Sequence, residues 1–261
     1  MKTVRLVSGH EMPVLGLGTW ALRGEQCKVA VKKAIELGYT HIDTAWMYGN
    51  QKEIAEALRE VGVARTELFI TSKIWRTHLK YNAVLEQCEE CLEQLQTDYL
   101  DLLLIHWPNE TVPLEETLAA FNKIYDEGKT KSIGVSNFNI GLVDQAREFS
   151  RAPISVNQVE YHVHQNREAL RQHCQKHQIV LTAYSPLAKG AILREPILKP
   201  IAEKHGKTIP QIALRWLLQK GLIVIPKASS ESHLRTNFDV FNWELTQDEM
   251  QQINNIKINP I

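Results

Sequence analysis

The chain has 261 residues, 44% of them hydrophobic and 23% charged, close to globular averages, which excludes a disordered or fibrous protein. Lys and Arg total 30 and Asp and Glu total 30, so no bulk field draws the chain to nucleic acid or to an anionic membrane. The start MKTVRLVSGHEMP is too polar for a signal peptide, no run reaches the roughly 20 apolar residues of a membrane span, and four cysteines are too few to staple such a length; a reduced, cytoplasmic, monomeric protein is expected.

VRLVSGHEM at 4–12 reads as a hairpin turning at Ser8-Gly9. A strand at 14–18 precedes a helix at 24–37, a strand at 41–45 a helix at 50–61, and a strand at 68–74 a helix at 82–96. The alternation continues with strands at 100–107, 131–137 and 155–161, followed by helices at 113–127, 139–149 and 166–177. The seventh strand, 180–185, is followed by an extra helix near 196–205 and then by its own helix at 208–220; the eighth, 222–227, leads to a helix at 231–241. A tail helix at 246–256 starts at Thr246, with Asp248 and Glu249 in its first turn. Most strands lack apolar–polar alternation, as parallel strands buried on both faces do. Gly38, Gly62, Gly128 and Gly221 fall where helix C-caps belong. Eight βα units without a linker are the arithmetic of a (β/α)8 barrel, of α/β class, in one domain over 1–261.

A second motif competes. Gly16-Leu17-Gly18-Thr19-Trp20-Ala21 matches G-x-G-x-x-[GA] between a strand and a helix, and Asp43 ends the next strand, the outline of a Rossmann dinucleotide turn. That fold needs an open sheet of about six strands, and Trp20 would crowd the backbone where a pyrophosphate approaches, so the barrel is preferred. Cys88 and Cys91 form C-x-x-C, but inside the helical stretch LEQCEECLEQL and without a second pair; they are read as helix residues ahead of a zinc or redox pair. His173 and His177 lie four apart on one helix. With no third ligand and no HExxH context they are read as solvated, and no metal is expected.

Barrel chemistry sits at the C-terminal strand ends. Those ends carry Asp43, Lys73, His106, Ser136-Asn137, Gln158, Tyr184 and Lys227, with Tyr48 in the loop after the second strand. A charge after an apolar run is costly unless paired, and Asp43 and Lys73 stand on neighbouring strands. A lysine ammonium lowers a nearby tyrosine's pKa, and a histidine hydrogen-bonds the substrate. The set can protonate an oxygen gaining negative charge, such as a carbonyl receiving hydride. Trp20, Trp75 and Trp107 follow strands one, three and four and read as an aromatic substrate pocket.

The segments MPVLGLGTW (12–20), HIDTAWMYGN (41–50), ITSKIW (70–75), LLLIHWP (102–108), GKTKSIGVSNF (128–138), NQVEYH (157–162), LTAYSPL (181–187) and VIPKASS (224–230) together resemble the aldo-keto reductase family, in its short prokaryotic form. The resemblance implies a (β/α)8 barrel that binds NADPH, or also NADH, in extended form and without metal, and reduces a small aldehyde or ketone. It implies a tetrad of Asp43, Tyr48, Lys73 and His106 with Tyr48 as proton donor. Asn137 and Gln158 should hold the nicotinamide carboxamide with Ser136 alongside, and Tyr184 should stack on its ring. Thr19 lies by the cofactor, and Trp20, Trp75, His106 and Trp107 by the substrate. Ser185 and Leu187 should follow the pyrophosphate; Lys227, Ser229, Ser230, His233 and Asn237 should meet the 2′-phosphate and adenine. Gln51 replaces the family's usual glutamate, Ala228 its phosphate-loop serine, and His233 its arginine, with Arg235 facing elsewhere, so NADPH should be preferred by a narrow margin. Only about nine residues separate His106-Trp107-Pro108 from the start of the next helix's apolar face near Leu118, and the chain stops soon after the tail helix; short walls around the substrate imply broad specificity. A slowly turning, cofactor-binding regulatory barrel and a phosphate-binding isomerase are the alternatives.

Overall fold

The computed structural model describes residues 1–256; of the domain expected over 1–261, residues 257–261 lie outside the described residues. Among the described residues, ten strands form two sheets. Thr3–Arg5 (β1) and Glu11–Pro13 (β2) pair antiparallel, Thr3 opposite Pro13, around a turn at Val7–Gly9. Leu17–Gly18 (β3), His41–Asp43 (β4), Phe69–Ile74 (β5), Leu102–Ile105 (β6), Ile133–Ser136 (β7), Ile154–Glu160 (β8), Val180–Tyr184 (β9) and Ile223–Val224 (β10) form an eight-stranded parallel sheet in chain order. A parallel bridge from Leu15 to Val224 joins its two ends. Gly16 N–H donates to the Val224 carbonyl at 2.9 Å, and Gly18 N–H to the Pro226 carbonyl at 3.2 Å.

The two glycines of the G-x-G motif serve this closure. A Cβ on Gly16 would sit 2.5 Å from Nδ1 of His41, and one on Gly18 would sit 2.5 Å from the Ile225 carbonyl oxygen. Close approach, of Gly16 to the His41 ring on β4 and of Gly18 to Ile225 across the seam, and not a pyrophosphate turn in an open sheet, accounts for the motif, and the Rossmann alternative falls.

Among the described residues, ten α-helices surround the strands: Gly24–Glu36 (α1), Gln51–Val61 (α2), Tyr81–Leu95 (α3), Leu114–Asp126 (α4), Ile140–Phe149 (α5), Glu168–Lys176 (α6), Leu198–His205 (α7), Ile209–Gln219 (α8), Glu231–Phe238 (α9) and Gln247–Asn254 (α10). Helix α7 is the extra helix expected after the seventh strand, and α10 the tail helix. A capping box, Thr246 with Glu249, opens α10. It docks on α8 through Trp216 Nε1–H donating to Asn254 at 2.9 Å. Helix α9 stops three residues short of its expected end, at Asp239, whose ψ of 63° breaks the helix. Most strands are shorter than the apolar runs that encode them. Val14–Gly16 and Ile225–Lys227, for instance, lie outside the strands themselves. Between β9 and α7 lies a 3-10 stretch, Ala188–Arg194; Ser185 ahead of it and Ala188 and Lys189 within it are in the left-handed region at φ 46, 45 and 52°.

Period-two alternation inside the barrel positions the chemistry. Leu6 and Met12 of the hairpin pack with Phe69, Leu102, Leu104, Val156 and Ile223, closing the floor with apolar side chains. Two residues apart on the same strands, the columns climb to polar ends: Phe69, Thr71, Lys73; Leu102, Leu104, His106; Val156, Gln158. Cys88 and Cys91 are buried in α3, where burial pushes their thiols up to about 12 and about 11; they pack as helix residues and are poor nucleophiles. Among the described residues no helix is long and apolar enough to cross a membrane.

Candidate active site

At the top of β5, Lys73 is 0% exposed, and its Nζ lies 2.6 Å from Oδ1 of Asp43, the last residue of β4. It also donates to the Thr44 carbonyl at 2.8 Å. The other carboxylate oxygen of Asp43 accepts from Gln158 Nε2 at 2.7 Å, across the barrel from β8. A charged pair so deep is tolerable only with its remaining valences met. Here they are: burial alone would push the lysine down, but Asp43 and Tyr48 outweigh it and lift it, so the ammonium persists.

Tyr48 closes a single 3-10 turn, Trp46–Tyr48, beyond β4. Its ring lies 5.0 Å from Lys73 Nζ. The sequence predicts a lowered tyrosine pKa. Instead burial pushes the hydroxyl up, and Lys73 only partly offsets this. The phenol therefore holds its proton at neutral pH and is an acid awaiting a base. His106 stands edge-on to Tyr48 at 5.6 Å and to Trp75 at 5.1 Å between ring centroids. Burial, then the Lys73 charge, pulls its imidazole down to about 3. As a neutral ring it can orient an oxygen by hydrogen bonding but brings no charge of its own.

Two polar residues that sequence reasoning left without a role hold this loop. Asn50, buried, donates to the carbonyls of Thr19 and Leu22 at 2.9 and 3.1 Å and accepts from Thr44 Oγ1 at 2.8 Å. It fixes both ends of the segment that carries Tyr48. Its signal was its position just before α2, where a capping side chain is ordinary; this one turns inward. Gln51 accepts from Ser72 Oγ at 2.6 Å and donates to Gln94 at 3.0 Å, so a neutral amide satisfies the position where the family carries glutamate.

The remaining residues line one side of the mouth. Asn137, left-handed at φ 64°, donates to the His106 carbonyl and to Ser136 Oγ, each at 3.0 Å, and accepts from the Tyr184 hydroxyl at 2.9 Å. Ser136 Oγ donates to the Gln158 carbonyl at 2.8 Å. Asn137 thus spends both N–H groups on the protein, and Gln158 one of its two on Asp43. Their carbonyl oxygens keep acceptor capacity, which matches the two N–H donors of a carboxamide. Thr19 Oγ1 donates to the Asp43 carbonyl at 2.9 Å. Across the seam, Lys227 is exposed, and no acidic partner pairs with it among the described residues. Ser230 caps α9, accepting from His233 N–H at 3.3 Å. Ser229 and Leu187 are half-buried and Asn237 is buried. Arg235 is tied to Glu231 at 3.0 Å. Trp20 and Trp107 are 56% and 40% exposed, and Lys189 lies 5.7 Å from the Trp20 ring. Trp75, edge-on to His106, is half-buried, so of the three tryptophans Trp20 and Trp107 are the exposed ones.

Residues 14–258 match the model of the aldo/keto reductase family. The chain is 43% identical to a glyoxal reductase of Bacillus subtilis over 96% of its own length and 91% of that protein's. It is 36% identical to an NADP-dependent D-sorbitol-6-phosphate dehydrogenase of Malus domestica, over 98% and 94%. Among solved structures it is similar to an aldo/keto reductase from Brucella melitensis, with a TM-score of 0.94, 39% identity, and coverage of 98% of this chain and 99% of the other.

Proposed function

The chain belongs to the aldo/keto reductase family, and from that premise we propose that it reduces small aldehydes and ketones to alcohols with NADPH, and less readily with NADH, Tyr48 giving the proton. When bound, the nicotinamide supplies hydride. The chain's own residues do the rest. His106 orients the carbonyl oxygen, Tyr48 protonates that oxygen as negative charge builds on it, and Lys73, fixed by Asp43, favours the phenolate left behind. The observation that carries this reading is the buried Asp43–Lys73 pair beneath a protonated tyrosine and beside a neutral histidine. Asn137 and Gln158, with Ser136 alongside, offer acceptors to the carboxamide, and Tyr184 a ring face; Thr19, Ser185 and Leu187 border the path of the diphosphate. Lys227, Ser229 and Ser230, with His233 and Asn237, receive the adenosine end. Trp20, Trp75 and Trp107 border the substrate, and the exposed Trp20 and Trp107 leave its far side in water, so specificity is broad. Family membership overrules a phosphate-binding isomerase.

Loss of reduced-cofactor absorbance with a generic aromatic aldehyde tests the activity. The phosphate site has its own test. A neutral histidine cannot clamp a phosphate as a guanidinium does, so His233→Arg is expected to tighten NADPH about tenfold and leave NADH nearly unchanged. Parallel fluorescence titrations decide; a wild-type protein that binds NADH more tightly than NADPH removes the site at Lys227, Ser229 and Ser230.

A further inference from the structure

Away from the barrel mouth, on the outer helical layer, one cluster of the described residues has the makings of a cation site. His173 and His177 stand one turn apart at the end of α6, their ring centroids separated by 4.8 Å. The sequence offers them no third ligand. The fold does: Asp144, 29 residues before His173, projects from the neighbouring helix α5, and its Oδ1 lies 2.8 Å from His173 Nε2. One ligand atom from each of the three lies within 4.8 Å of the others. Two ligands about 2.0–2.1 Å from a tetrahedral ion are separated by roughly 3.3 Å. Drawing the widest pair in to that spacing needs rotation of half-buried side chains.

We propose that Asp144, His173 and His177 form a binding site for a divalent transition-metal ion of the zinc class, which clamps α5 to α6 with water completing its shell. The donor set selects the ion: two imidazoles and one carboxylate suit zinc and its neighbours, whereas calcium and magnesium want oxygen ligands alone. His173 Nε2 now shares a proton with Asp144. The ion takes that nitrogen, the proton moves to Nδ1, and the ring stays neutral. Cys174, between the two histidines, faces the core and is fully buried, so it is no ligand. Arg147 opposes the ion: its guanidinium lies 3.3 Å from the same Asp144 oxygen, competing for the carboxylate and repelling a cation. Three protein ligands in a solvated setting with that competitor set an affinity on the order of 10 μM, far weaker than a closed four-ligand site. The site lies in the second half of α6, toward the barrel floor, so stability rather than turnover should respond.

The test uses untagged full-length protein stripped with chelator and titrated with Zn²⁺ by calorimetry, with thermal unfolding in parallel. One equivalent should bind, and the Tm should rise on the order of 5 °C at a hundredfold excess over Kd. His173→Gln, His177→Gln and Asp144→Asn should each weaken binding at least about tenfold and cut the rise in Tm at that Zn²⁺ concentration by about half or more. Arg147→Gln should tighten binding several-fold. Co²⁺ in place of Zn²⁺ should give visible absorption bands that His177→Gln loses. Failure to bind below about 1 mM, a binding energy near −4 kcal/mol, overturns the site. So does Zn²⁺ binding that survives in the His173→Gln/His177→Gln double variant.

Discussion

Tyr48→Phe is expected to lower kcat for aldehyde reduction by about 10²–10⁴-fold, the usual worth of a positioned general acid. The substitution removes one oxygen atom. It leaves the ring packed edge-on to His106 and facing Lys73, so the fold and the affinity for NADPH should barely change. The loss should therefore appear in the chemical step. Single-turnover reduction with NADPH and with its deuterated form isolates that step. A variant that keeps more than about a tenth of the wild-type hydride-transfer rate would show that another group supplies the proton.

Lys73→Met should damage both folding and chemistry. The side chain has no exposure, and its loss leaves the Asp43 carboxylate buried with only the Gln158 amide beside it. Breaking one half of a buried pair costs about 3–5 kcal/mol, a fall in Tm of roughly 10 °C at this size. Activity should fall by about 100-fold or more, because no charge then favours the Tyr48 phenolate. The double variant Asp43→Asn/Lys73→Met separates the two effects. It removes the stranded charge, so most of the stability should return while activity stays low. Recovery of activity along with stability in the double variant would make the pair a structural element with no part in proton transfer.

Much of this architecture was legible in the sequence because parallel strands buried on both faces and amphipathic helices leave opposite traces, and eight alternations leave little choice of topology. The Asp43–Lys73 pair was legible for a related reason. A lone Asp or Lys closing an apolar run demands a partner, and strand order supplies it. What the sequence hid is whatever depends on distance between segments. Asn50 looked like an ordinary polar residue at a helix start, yet it ties the Tyr48 loop to Thr19 and Leu22. The direction of the Tyr48 shift was missed because pairwise charge is readable from neighbours, whereas the depth of burial that outweighs it is a property of the whole barrel. Asp144 is far from His173 in sequence, and only the packing of α5 on α6 brings their side chains together.

The join between the first and last barrel strands has one more consequence. β3 and β10 contribute two residues each, while β8 contributes seven. With so few amides bridging it, this is the line along which the barrel should part most readily in native-state fluctuations. Thr19 stands on one lip, and the loop Lys227–Ser230 begins on the other. A nicotinamide cofactor held as proposed would lie across the join like a stitch, so that its binding and the closing of the cylinder become one equilibrium. Deuterium uptake at the amides of Gly16, Gly18 and Val224 should then slow on addition of NADPH far more than uptake along β6, which is paired on both sides. Uniform slowing around the whole barrel would mean instead that the ligand merely raises global stability and that the join is as firm as the rest of the wall.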